Sequence, residues 1–148
     1  MRPNLLAFVL PLSLTLAACG GGGEPKYEVE PTVPVSGTIT YQGKPLDFYR
    51  VYFTPGEGKR HGSGVTDANG KFVLGTNYVD DGGPEGLCKV SAVYVGPPLN
   101  VEPGKEGPEN QVPPAKVKIP AKYFSPETSD VTQEVPSGGL TDVKIDLK

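Results

Sequence analysis

From residue 35 onward, apolar side chains recur at every second position in short runs, and no stretch repeats them at helical spacing. The last run is the cleanest. Val143, Ile145 and Leu147 alternate with Asp142, Lys144, Asp146 and Lys148, so one face is apolar and the other charged. Val35, Gly37, Ile39 and Tyr41 alternate with Ser36, Thr38, Thr40 and Gln42 in the same way. A period of two describes a strand half-buried on one face. What cuts the runs is glycine and proline, 20 and 17 of 148 residues. Seventeen of them fall in 20–34 and 96–120, and most of the others sit between the alternating runs, where turns need them. This arrangement excludes a helical bundle and a collagen repeat, and predicts an all-β domain.

Seven strands are expected. The first covers 35–42 and ends in the turn residues Gln42-Gly43-Lys44-Pro45. The second turns Tyr49, Val51 and Phe53 inward and Arg50 and Thr54 outward. A short strand at 62–66 leads into the hairpin Thr66-Asp67-Ala68-Asn69-Gly70-Lys71-Phe72, and Phe72 and Leu74 continue the core row. Cys88, Val90 and Ala92 then face inward against Lys89 and Ser91, Val131 and Val135 mark a sixth strand, and 142–148 is the seventh. Two sheets around one core bury every inward row at once. With each strand antiparallel to the one before, the connection 96–118 lies at the end away from the N-terminus, beside 43–46 and 67–70. The basic loop 56–61 then lies at the N-terminal end.

The N-terminus carries a different signal. Arg2 is followed by Leu5 to Ala18, fourteen residues that are apolar apart from Pro11, Ser13 and Thr15. That length is short of the ~20 residues a membrane-spanning helix needs and suits the apolar region of an export signal. Leu16-Ala17-Ala18-Cys19 resembles the lipobox of bacterial lipoproteins. The resemblance implies cleavage between Ala18 and Cys19, a diacylglycerol on the Cys19 thiol, and a further acyl chain such as palmitate on the new amine. Several chains are needed because one binds a bilayer only marginally. Gly20, where an Asp would favour retention at the inner membrane, favours the outer membrane in a two-membrane host. The expected organisation is a signal peptide over 1–18, a lipid anchor with a flexible Gly/Pro tether over 19–34, and a domain over 35–148 with a mobile insertion at 96–118, a partner-binding loop being the alternative for that insertion.

Val35-Ser36-Gly37-Thr38-Ile39-Thr40-Tyr41-Gln42-Gly43-Lys44-Pro45-Leu46, Thr66-Asp67-Ala68-Asn69-Gly70-Lys71-Phe72 and Gly86-Leu87-Cys88-Lys89-Val90 together resemble carboxypeptidase regulatory-like, transthyretin-like domains. Cys88 stands where that family commonly has Tyr. Ile119-Pro120-Ala121-Lys122-Tyr123 and Ser125-Pro126-Glu127-Thr128-Ser129 resemble the closing segment of a bacterial lipoprotein branch. The resemblance covers 35–95 and 119–148. It implies a seven-stranded antiparallel Greek-key β-sandwich, prealbumin-like or Ig-like, and a mostly non-catalytic module.

The candidate chemistry is sparse. A net charge of −3 argues against a nucleic-acid partner, and one histidine excludes a multi-histidine metal site within one chain. Asp67-Ala68-Asn69-Gly70 opens like a calcium loop, yet Tyr78 stands at its twelfth position where a bidentate Glu is required, so a hairpin turn is expected there. His61, in the basic run Lys59-Arg60-His61, has no nucleophile motif to serve, and a solvated loop is expected, with a weak anion or polysaccharide contact as the alternative. Hydroxyisourate-hydrolysing relatives of the fold use several His and Arg and a C-terminal Tyr-Arg-Gly-Ser, whereas this chain ends Lys144-Ile145-Asp146-Leu147-Lys148. A self-formed Lys–Asn isopeptide needs a buried Lys, and Lys71, Lys89 and Lys144 fall on outward positions. Cys88 lies on an inward face and reads as an inert core residue. No catalytic residue, cofactor or metal is expected. The sequence reads as a membrane-anchored extracytoplasmic module, the membrane being its partner through Cys19. The alternative is an accessory protein binding an envelope polysaccharide or peptide.

Overall fold

In a computed structural model, residues 28–56, 58–99 and 111–148 are described. The alternating runs become eight strands: β1 (Val35–Tyr41), β2 (Lys44–Pro45), β3 (Tyr49–Thr54), β4 (Gly62–Val65), β5 (Lys71–Val73), β6 (Gly86–Tyr94), β7 (Thr132–Val135) and β8 (Leu140–Leu147). One four-stranded sheet has β1 at its centre, with β8 on one side and β2 and β5 on the other; the second runs β4-β3-β6-β7. Val35, Ile39, Phe72, Ile145 and Leu147 from the first sheet share one core with Tyr49, Val51, Phe53, Cys88, Val90, Ala92 and Val135 from the second. The rings of Phe53 and Phe72 meet across it, 5.9 Å apart. The inward rows expected from the period of two are these residues.

The expected seven-stranded, wholly antiparallel arrangement is corrected at two points. Gln42 and Gly43 both adopt positive φ, 51° and 75°. Such a pair makes a tight hairpin whose twist matches that of its strands. It folds Lys44–Pro45 back onto Thr40–Tyr41 as the additional strand β2. Second, β8 pairs with β1 in parallel. Seven long strands alternating in direction leave the first and last pointing the same way, so neighbours of that kind cannot be antiparallel. The register of this pair shifts between Val35 and Gly37. A Cβ on Gly37 would lie 2.3 Å from the Val143 carbonyl oxygen, so only glycine lets the β8 backbone come this close.

Outside the core rows, three further expectations change. Residues 28–34 are not a free tether. Val33 exchanges backbone hydrogen bonds with Gly83, the Thr32 hydroxyl donates to the Asp81 carbonyl, and Leu140 N–H donates to the Pro34 carbonyl. The Asn77 amide accepts from Glu30 N–H and donates to the Glu30 carbonyl, imitating a strand neighbour. Ser91, expected to face water, is buried. Its cross-strand partner in the β3–β6 register is Tyr52. A single helical turn, a 3-10 helix at Ala121–Phe124, interrupts the β pattern and buries Tyr123. The Tyr123 hydroxyl donates to the Lys148 carbonyl and accepts from its N–H, fixing the end of β8.

The insertion is held at both described ends. Val95 and Gly96 N–H groups donate to the Phe48 carbonyl. On the return, the Tyr94 hydroxyl donates to the Pro113 carbonyl, the Tyr49 hydroxyl donates to Val117, and Lys116 pairs with the buried Asp47 at 2.8 Å. The segment therefore leaves and rejoins the domain beside 45–48, at the end opposite residues 28–34. Residues 100–110 lie outside the described residues.

Candidate functional site

The turn between β4 and β5 borders a concavity. Asp67 begins the turn: its carboxylate accepts from Asn69 N–H at 2.8 Å and Lys71 N–H at 2.9 Å, while Gly70 takes φ of 75°. Both carboxylate contacts go to the turn's own backbone, as an Asx turn requires. The two strands then part to different sheets. They cross so closely that a Cβ on Gly64 would lie 2.0 Å from the Val73 carbonyl oxygen. They meet again where Ser63 and Gly75 exchange backbone hydrogen bonds of 2.9 Å.

Along this crossing runs a groove of about 780 Å³. Val65 and Val73 supply exposed apolar surface, Arg50 and Lys71 supply positive charge, and Tyr78 and Asp80 close it at the N-terminal end. The loop carrying Tyr78 is built around Asp81, whose carboxylate accepts from the backbone N–H groups of Thr76, Asn77 and Tyr78 and from the Asn77 amide. Burial pushes the pKa of Asp81 up; those hydrogen bonds outweigh it and hold the carboxyl below its usual range. An apolar strip bordered by both signs of charge suits recognition of a ligand by contact. Among the described residues, the groove lining holds neither histidine nor cysteine.

The residues singled out in the sequence are dispersed. Ala18 and Cys19 lie outside the described residues. His61 is exposed, its ring tilted against Tyr52 with centroids 5.4 Å apart. Lys59 and Arg60 are exposed, and Arg60 borders a small hollow with Glu28, Val29, Asn77 and Tyr78. The basic loop thus lies at the N-terminal end, as expected. Lys71, Lys89 and Lys144 are exposed. Among the described residues no cluster of three or more His, Cys, Asp or Glu could hold a metal ion.

Cys88 is fully buried in β6, and its thiol is pushed up to about 11, first by burial and then by the nearby Glu134 charge. The residues that sequence reasoning passed over are Tyr78 and Val79. Their signal was an apolar pair inside a turn-rich run, Gly75-Thr76-Asn77-Tyr78-Val79-Asp80-Asp81-Gly82, where no periodic row could bury them. No family model, curated protein or solved structure matches this chain.

Proposed function

We propose that this chain is a lipid-anchored, extracytoplasmic lipoprotein whose two-sheet domain is a non-catalytic structural or binding module. In this reading the chain is cut before Cys19 and held in a membrane by acyl groups on that residue. The observation that carries it is the lacing of residues 28–34 onto one end of the domain. That lacing fixes Glu30 to Pro34 at the end opposite the insertion, within fifteen residues of Cys19. A lipid at Cys19 would therefore fix which end of the domain faces the bilayer. The domain itself is proposed to be a Greek-key, prealbumin-like sandwich of the carboxypeptidase regulatory-like kind. The strand order supports this. β3 pairs with β6 across the intervening β4 and β5, and β5 crosses to the other sheet beside β1.

The groove along β4 and β5 is the proposed contact surface for an envelope protein or polysaccharide, and it runs from the Asp67 turn to the Tyr78 loop. Detergent-phase partitioning tests the anchor. Wild-type protein should enter the detergent phase and incorporate labelled fatty acid, and Cys19→Ala should do neither. Unchanged partitioning of Cys19→Ala would refute the anchor.

A further inference from the structure

Val79 is 90% exposed and Tyr78 is 69% exposed, although valine is among the residue types most often buried. They sit side by side at the tip of the loop between β5 and β6. Their exposure is not a product of loose chain. Four hydrogen bonds into the Asp81 carboxylate hold this loop, and Asn77 clips it to Glu30. A rigid loop that presents an apolar tip is built to set that tip against something. Val29, 57% exposed, lies beside it across the hollow that Arg60 borders.

What lies opposite follows from the chain. Nine peptide units separate Glu28 from Cys19, a stretch that can span at most about 32 Å. If Cys19 bears lipid, this tip spends its time within a loop's length of the bilayer, so even weak apolar contact is favoured by the high local concentration. Tyrosine suits the depth of the headgroups, with an apolar ring and a hydroxyl that stays wet. Lys59 and Arg60 stand at this end with Glu28 and Asp80, so the rim carries both signs and fits zwitterionic headgroups better than an anionic surface.

We infer that Tyr78, Val79 and Val29 form a membrane-interface contact that seats the N-terminal end of the domain on zwitterionic lipid and orients the groove sideways along the bilayer. This rests on the lipid-anchor reading of Cys19. The chain has no tryptophan, so a single one reports its own surroundings. Full-length, processed Val79→Trp protein is reconstituted in phosphatidylethanolamine–phosphatidylcholine vesicles with brominated acyl chains. Lys44→Trp, at the opposite end, serves as control. The expected result is a blue shift and a loss of emission for Val79→Trp on brominated lipid, with Lys44→Trp unchanged. A protein that floats with the vesicles while Val79→Trp stays unquenched would overturn the inference and leave the anchor intact. A blue shift without quenching would mean that a second copy of the chain covers the tip, and would overturn it as well. Flotation of Cys19→Ala is read separately: if it still floats and Val79→Trp is still quenched, the anchor reading fails and the surface contact stands.

Discussion

Cys88 gives the sharpest test of which face of β6 points inward. In a Cys19→Ala background it is the sole thiol of the chain. Its pKa of about 11 against an ordinary 9.0 leaves roughly 100-fold less thiolate at pH 8, since each pKa unit is a factor of ten. The sulfur is also inaccessible, so reagent must wait for the domain to open, an event a stability of several kcal/mol makes rarer still. Labelling by an aromatic disulfide reagent, followed by absorbance, should therefore be more than about 100-fold slower in the native protein than in denaturant. The same shift carries a stability consequence. The folded pKa is raised above the unfolded value, so the thiol's contribution is fully present below pH about 9 and is lost as pH rises through about 11. At 1.36 kcal/mol per unit this is on the order of 3 kcal/mol, and Cys88→Ala should flatten the stability curve over that window. Native labelling within about tenfold of the denatured rate would refute the reasoning. It would mean that β6 is misassigned by one residue, since such a slip exchanges the two faces.

Other perturbations test the turns and close approaches. Gly37→Ala must push back the Val143 carbonyl 2.3 Å away and should cost about 1–3 kcal/mol in denaturant unfolding. Gly56→Ala, with nothing within 4 Å, should stay within about 0.5 kcal/mol of wild type. Asp67→Ala removes the acceptor of two backbone N–H groups and should cost about 1 kcal/mol. Asp67→Asn should lose less, and added calcium should leave the melting temperature of the wild type unmoved; a calcium-dependent rise would restore the calcium-loop reading.

The core rows were legible because each is written locally: a period of two needs only the neighbouring positions, and it placed Tyr49, Val51, Phe53, Cys88, Val90, Ile145 and Leu147 correctly. The hairpin at Asp67 was legible for the same reason, its hydrogen bonds closing within four residues. What escaped depends on partners far along the chain. Asn77 docks Glu30 from 47 residues away, Tyr49 holds Val117 from 68 away, and no period announces a side chain that will imitate backbone. Ser91 reads as outward by alternation yet is buried, because whether an outward position meets water depends on what packs over it and not on the period. The parallel β1–β8 pair follows from an odd number of alternating strands, but only once the closure of the sheet is known. The groove was invisible because it arises where β4 and β5 part to different sheets, a property of the crossing and not of either strand.

The central claim concerns Cys19, and the mass of the N-terminal peptide of the membrane-extracted protein tests it most directly. The account predicts a mature chain that begins at Cys19, with a peptide mass raised by a diacylglyceryl group and, where the amine is acylated, by a further fatty acid. A mature chain beginning elsewhere, or an unmodified Cys19, would contradict it.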